Sequence, residues 1–192
     1  ISSSLYEITL PTYGQTLVTT LASDARMSYV EYAGSLYLSN GTDRLRIAGG
    51  VVYPMAMPTP AGPVLTPVAG SLFAGKYQVS VAYYNNVTKE EGGASPSSNY
   101  ELLAAGGLRV TLPAATTGAT HANVYVSTVN GSIPFFKASV ALGTAYLDVA
   151  TDATGREANQ RYEAPLPAGE LFLFNGMLCS FKGSEVFEGI PA

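Results

Sequence analysis

The stretch AGKYQVSVAYYN, residues 74–85, decides the fold. Large apolar side chains fall at every second position from Tyr77 to Tyr83, which places one set of side chains in a core and the other set on the opposite face of a strand. The same period recurs in three further stretches, at 108–112, 124–127 and 136–140. No window shows a sustained helical period free of Gly, Pro or β-branched clusters. The sequence therefore predicts an all-β protein.

Composition excludes several classes of partner. Only 12% of the 192 residues are charged and the net charge is −4, whereas nucleic acids and anionic membranes attract positive surfaces. A single Cys excludes an internal disulfide framework, and a single His excludes a His-rich metal site. We therefore expect no nucleic-acid partner, no membrane partner and no cofactor.

Proline placement divides the chain. Five prolines fall between Pro54 and Pro67, and a residue without an N–H and with a fixed φ is unsuited to a central strand. A second Pro-containing segment lies at 164–169. We predict a β-meander at 1–53, a Pro-rich linker at 54–67, a sandwich at 68–155, and a second meander at 156–192 that pairs with the first.

The two flanks resemble each other in sequence. YAGSLYLSNGTDRL at 32–45 aligns without gaps with FNGMLCSFKGSEVF at 174–187, with the aromatic residue, both glycines, one Leu and the acidic residue in register. Each copy is typical of a strand, a tight turn, a second strand, a second turn and a third strand. Two copies suggest repeated units that stack, as in a propeller or a small barrel.

The middle of the chain resembles a fibronectin type III domain in reversed order. Its first part, residues 74–85 followed by EEGGASPS at 90–97, is similar to the last two strands of that family. The segments similar to the earlier strands come afterwards: LRVTLP at 108–113, ANVYVS at 122–127, PFFKASV at 134–140 and TAYLD at 144–148. The resemblance implies a circularly permuted immunoglobulin-like sandwich, in which the strand at 76–84 pairs with the strand at 122–128. The early-strand Trp of the family is missing from this sequence.

Permuted modules of this kind, set between Gly-rich meanders, resemble virion proteins of tailed bacteriophages and prophages. The resemblance implies a non-enzymatic structural component of a tail, a connector or the virion surface, made in the bacterial cytoplasm and assembled with other virion proteins and with copies of itself. Two alternatives stay open: a surface module that binds glycans or a receptor, and an accessory domain of a larger secreted hydrolase. An exposed aromatic cleft rimmed by Asn and Asp would favour the glycan-binding alternative.

Few residues suggest catalysis or the binding of a metal ion or phosphate. Asp148 and Asp152 are a candidate Ca²⁺ pair, because carboxylates four residues apart in a turn can share a cation. Glu90 and Glu91 are adjacent and point to opposite faces of an extended chain, so they cannot flank one glycosidic bond. Residues 70–77 approach the phosphate-loop pattern but end in Tyr and lead into a strand, which predicts an ordinary turn.

The lone His and Cys suit structural roles. His121 precedes a strand without a partner in its neighbourhood, which predicts a loop His. Cys179 lies in an apolar strand and is expected to be a small buried residue. We predict instead that function depends on an interface, whose candidate residues are Val51, Val52, Met55, Met57, Tyr84 and Phe135.

Overall fold

The computed structural model describes residues 3–158, 169–182 and 184–188. Over these ranges the protein is all-β, as predicted, with several antiparallel sheets and no helix. The strands in chain order are β1 (Ser3–Thr9), β2 (Gly14–Leu21), β3 (Ser28–Tyr32), β4 (Ser35–Ser39), β5 (Arg44–Ala48), β6 (Val51–Pro54), β7 (Leu65–Leu72), β8 (Gly75–Tyr84), β9 (Ser98–Leu102), β10 (Gly106–Thr111), β11 (His121–Ser127), β12 (Pro134–Ala141), β13 (Tyr146–Val149), β14 (Glu170–Phe174), β15 (Met177–Lys182) and β16 (Glu185–Glu188).

The chain forms two compact units. The meander unit comprises residues 1–56 and 164–192, and the sandwich unit comprises residues 57–163. The sandwich unit is therefore inserted into the chain of the meander unit. It is longer than the predicted 68–155, because β7 begins at Leu65 and a bridge joins Phe135 to Glu157.

Two antiparallel sheets build the sandwich unit. One has the strand order β13-β10-β7 and the other has the order β12-β11-β8-β9. The predicted ladder between 76–84 and 122–128 is confirmed, because β8 pairs with β11 and Val81 lies opposite Val124. Alternate residues of both sheets meet in one core, where Leu108 of the first sheet and Val81 and Val124 of the second are fully buried. Burial of such side chains contributes roughly 1.5 to 3 kcal/mol each, which makes this core the main source of stability of the unit.

The Pro-rich segment without strand structure is shorter than the predicted linker. Pro54 is the last residue of β6, and Pro67 lies within β7 opposite Leu108. β7 is an edge strand of its sheet, and at an edge a residue without an N–H leaves no ladder bond unmade. The segment without strand structure is therefore 55–64 rather than 54–67.

The meander unit contains three sheets. β3, β4, β5 and β6 form a four-stranded meander, β14, β15 and β16 form a three-stranded one, and β1 and β2 form a separate hairpin. The first turns of the two meanders match: Ala33 and Gly34 have φ of 48° and 71°, and Asn175 and Gly176 have φ of 49° and 75°. Two consecutive residues with positive φ are the type I′ hairpin geometry. The aligned segments 32–45 and 174–187 thus share their first turn.

The second turns of the meanders differ. Four residues separate β4 from β5, whereas two separate β15 from β16. Asn40 explains the longer loop, because its Oδ1 accepts hydrogen bonds from the N–H groups of Thr42 and Asp43 at 3.1 and 2.7 Å.

No helix among the described residues is long and apolar enough to cross a membrane.

Candidate binding cleft

A cleft of about 640 Å³ opens between the two meanders of the meander unit. β3 and β4 contribute one wall, and β14 and β15 contribute the other. Leu171 and Ser39 are buried, whereas Arg26, Tyr29 and Lys182 are exposed. The volume falls within the range of about 300–1,000 Å³ that is typical of ligand sites.

Side-chain hydrogen bonds hold the two walls together. The N–H of Leu171 donates to Ser28 Oγ at 2.9 Å, and the N–H of Gly169 donates to Ser39 Oγ at 3.0 Å. At the far end of β3, the hydroxyl of Tyr32 donates to the carbonyl oxygen of Gly176 at 2.8 Å. Ser28 and Tyr32 thus meet residues in the same order along β14 and its turn, so the first strands of the two meanders run side by side in the same direction.

Within one wall of the cleft, Gly169 lets the backbone before β14 approach β15 closely. A Cβ atom built on this residue would lie 2.3 Å from the carbonyl oxygen of Phe181, which no side chain tolerates. Phe181 also lines the cleft, and 41% of its surface is exposed.

The loop beneath the cleft is tied by Asn40 and Asp43. Asn40 is nearly buried, and its Nδ2 donates to Asp43 Oδ2 at 3.0 Å and to the carbonyl oxygen of Ser23 at 3.2 Å. The carboxylate of Asp43 also accepts from the N–H groups of Ala22 and Ser23. Burial alone would raise the pKa of Asp43, but these hydrogen bonds outweigh it and hold the pKa below its usual value. The loop is consequently fixed while the carboxylate is charged.

Charge and aromatic surface meet at the cleft. Arg26 and Lys182 form no ion pair or hydrogen bond through their side chains with the part of the chain that the structure describes, and Glu170 is the acidic lining residue. Tyr29 is 71% exposed. Two cations, one carboxylate and two accessible rings can bind an anion that also has an apolar face.

A buried carboxylate cluster lies in the sandwich unit. Glu91 accepts hydrogen bonds from Asn123 Nδ2 at 2.8 Å, from the hydroxyl of Tyr125 and from Nη2 of Arg156. Burial, followed by the hydrogen bond to Glu91, raises the pKa of Tyr125 far above its usual range. Tyr125 therefore stays protonated and serves as a hydrogen-bond donor. This cluster ties residues 91 and 156 to the outer face of β11.

The sequence did not reveal the role of Glu91. Alternation along β11 places Asn123 and Tyr125 on the face opposite to that of Val124, and Tyr125 is fully buried on that face. The partner carboxylate lies 34 residues from Tyr125, beyond any local pattern. The spacing of Asn123 and Tyr125 was the one available signal.

The predicted interface residues do not gather on one unit. Val51 is 50% exposed, Val52 and Met55 are partly buried, and all three belong to the meander unit. Met57 belongs to the sandwich unit, where its side chain lies against Gly92.

The two predicted aromatic interface residues both lie in the sandwich unit. Tyr84 is partly buried and contacts the ring of His121 edge-on, with 6.5 Å between the ring centroids. Phe135 is partly buried and packs against the sandwich core. This packing limits the part of the Phe135 ring that a partner could contact.

The candidate Ca²⁺ residues have other contacts. Both carboxylate oxygens of Asp148 accept from Arg109, at 2.7 and 2.8 Å, and the guanidinium lies 3.8 Å from the ring centre of Tyr146. The hydrogen bonds from Arg109 hold the pKa of Asp148 below its usual value. The backbone oxygen of Asp152 accepts from Lys137 Nζ at 3.0 Å. Over the described ranges, no group of three or more His, Cys, Asp or Glu side chains is arranged to hold a metal ion.

The remaining candidates have local contacts. Nδ1 of His121 lies 2.9 Å from Thr120 Oγ1. Cys179 is a buried free thiol whose Sγ donates to the carbonyl oxygen of Met177 at 3.7 Å. The segment 70–77 consists of the end of β7, a turn and the start of β8.

Comparison with known proteins yields no relative: no family model, no curated protein and no solved structure matches this chain. Function is therefore inferred from the residues described above.

Proposed function

We propose that this chain is a non-enzymatic structural component of a phage virion, in a tail, a connector or the particle surface, and that it works through protein–protein contacts. The proposal includes synthesis in the bacterial cytoplasm and assembly with other virion proteins and with copies of the chain itself. A permuted fibronectin type III-like sandwich inserted between propeller-like blades is part of the same proposal. The pairing of β8 with β11 and the shared first turn of the two meanders support it.

The hairpin of β1 and β2 is the observation that carries the assembly role. Tyr6 lies directly opposite Leu17, and Ile8 shares their face because it is two residues further along β1. We call these three residues the hairpin patch. The exposed fraction is 50% for Tyr6, 54% for Leu17 and 55% for Ile8. Glu7 is the single charged residue between Ser3 and Leu21.

Such a hairpin is suited to burial by a partner. Its sheet contains only β1 and β2 among the described strands, and an isolated two-stranded hairpin is marginally stable in water. Clustered exposed apolar side chains mark interaction surfaces, and the open edges of a hairpin offer backbone groups to another strand. A neighbouring subunit of an assembly would cover both.

Light scattering of purified protein over a range of concentrations tests the assembly role. We expect ordered oligomers that the triple variant Tyr6→Thr/Ile8→Thr/Leu17→Thr loses, because Thr keeps strand propensity but removes apolar area. The control is Val87→Thr/Leu103→Thr, which changes side chains that are 76% and 91% exposed on the sandwich unit. A strictly monomeric parent protein, or equal loss of oligomers in the control, would overturn the proposal.

Glycan binding is a second candidate function, and the cleft is the observation that favours it. The cleft combines the exposed rings of Tyr29 and Phe181 with the exposed polar side chains of Arg26 and Lys182. A glycan array probed with the full chain tests this function. Binding to a defined set of sugars is expected, and binding to none would rule it out.

A further inference from the structure

We infer that the cleft of the meander unit selects acidic glycans, with a sugar carboxylate held by Arg26 and Lys182 and a sugar ring stacked on Tyr29 or Phe181. This inference rests on the second proposed function, glycan binding at the same cleft. It adds the class of sugar and the residues that recognise it.

The charge of the cleft differs from that of the molecule. The chain has a net charge of −4, yet the cleft is lined by two cations and a single acidic side chain, Glu170. A local positive charge in a negative protein draws anions to that place. Arg26 and Lys182 have no side-chain partner among the described residues. Guanidinium and ammonium groups form strong charge-assisted hydrogen bonds with a carboxylate.

The aromatic rings of Tyr29 and Phe181 provide the surface for the apolar face of the sugar. Tyr29 and Phe181 keep 71% and 41% of their surface exposed at the cleft, although burial of such rings is strongly favourable. A pyranose ring has an apolar face of C–H groups and a polar rim of hydroxyls. The phenol of Tyr29 makes no hydrogen bond within the described ranges, so it can bind a sugar hydroxyl while a ring covers the apolar face.

The cleft is formed before a ligand arrives. Ser28 and Ser39 join the walls through the N–H groups of Leu171 and Gly169, and Asn40 and Asp43 fix the loop beneath. A preformed site loses less conformational entropy on binding. The hydroxyl and amide groups that build the walls already form hydrogen bonds within the protein. Arg26, Lys182 and Tyr29 are therefore the groups that remain to contact the ligand.

An acidic sugar fits this set better than an acidic peptide. Asp and Glu side chains carry a carboxylate on a flexible stem without a rigid apolar face, so a peptide would engage the cations and leave the rings uncovered. The binding experiment below therefore includes an acidic peptide.

Isothermal titration calorimetry on the full chain tests the inference with three probes: a uronic-acid oligosaccharide, the same oligosaccharide with its carboxyl groups reduced to alcohols, and an oligoglutamate peptide. We expect the acidic sugar to bind at least about tenfold more tightly than the reduced sugar, and its affinity to fall as salt rises. Equal binding of both sugars would overturn the acidic selectivity while leaving glycan binding intact. Tighter binding of the peptide would overturn the sugar assignment, and binding of neither sugar would overturn both.

Variants assign the roles of the residues. Arg26→Gln and Lys182→Gln are each expected to weaken binding of the acidic sugar about tenfold and to leave binding of the reduced sugar unchanged. Tyr29→Ala is expected to weaken binding of both sugars. Lys76→Gln is the matched control, because it removes the same charge from an exposed position on the sandwich unit. An effect of Lys76→Gln equal to that of the cleft variants would contradict the assignment, and the thermal midpoint of each variant verifies its folding.

Discussion

The two units of this chain bury their apolar residues to different extents. In the sandwich unit, β8, β10 and β11 contribute a core of fully buried side chains that includes Val81, Leu108 and Val124. In the meander unit, apolar side chains such as Tyr6, Ile8 and Tyr29 remain half or more exposed. The sandwich unit therefore has a continuous buried core, whereas the meander unit leaves several large apolar side chains exposed on its strands. The position of a residue in one unit or the other should decide what its substitution changes.

The largest effect on stability is expected in the sandwich core. Leu108→Ala removes a fully buried side chain and should lower the free energy of unfolding by about 2 to 5 kcal/mol, because a cavity adds to the lost transfer free energy. Denaturant unfolding of the full chain measures it. Leu103→Ala, at a position that is 91% exposed, should change stability by at most about 0.5 kcal/mol. Similar losses in both variants would contradict the described core.

The buried carboxylate gives the next largest effect. Glu91→Ala leaves the hydroxyl of Tyr125 and Nδ2 of Asn123 buried without their acceptor, which should cost about 1 to 3 kcal/mol of stability. Its neighbour Glu90, which accepts from Thr88 Oγ1, provides the control variant Glu90→Ala with a smaller expected loss. The two variants are compared by thermal unfolding, and a larger loss for Glu90→Ala would disprove the cluster.

A smaller effect of opposite sign is expected in the meander unit. Ala33 has a φ of 48°, which strains a residue that has a Cβ, whereas Asn175 stands at the corresponding turn position. Ala33→Asn should therefore raise stability by about 0.5 kcal/mol, since Asn tolerates this conformation. Asn175→Ala is the reciprocal variant and should lower stability by a similar amount. If both variants act in the same direction, the turns are not equivalent.

The smallest expected effect is on the pH dependence of stability. The folded-state pKa of Asp43 lies below its usual value, so its charged form stabilises the fold above the unfolded-state pKa of about 3.9. This stability is lost as pH falls through the folded-state pKa. Thermal unfolding between about pH 2 and pH 6 should show a weaker acid dependence for Asp43→Asn than for the parent chain. Identical pH profiles would show that the hydrogen bonds of Asp43 do not contribute.

Local patterns predicted the strands but not the buried contacts between distant segments. Alternation around Val79 and Val124 was sufficient for the all-β class, because each strand must bury one face. The ladder between β8 and β11 was instead implied by the resemblance to fibronectin type III domains. The aligned Gly34 and Gly176 predicted matching turns, because glycine readily adopts the positive φ that a tight hairpin turn requires. The cleft and the Glu91 cluster depend on side chains from segments far apart in sequence, and no local period encodes such meetings.

The predicted interface near Val51 stays a prediction. Apolar residues beside a Pro-rich run suggested it, and the structure assigns Met55 to the meander unit and Met57 to the sandwich unit. The hairpin patch went unnoticed because the alternation of Tyr6, Ile8 and Leu17 is typical of a strand with a buried face. That face is exposed because no other layer of the described residues packs against it, and the local pattern does not encode such packing.

Amide hydrogen exchange at low and high protein concentration tests the difference between the two units most directly. We propose that the sandwich unit keeps its structure without assembly, whereas the hairpin of β1 and β2 is buried by assembly. Amides of β8 and β11 should then be strongly protected at every concentration, whereas those of β1 and β2 should exchange quickly when dilute and gain protection when concentrated. Exchange of β1 and β2 at the same rate at every concentration would contradict the account.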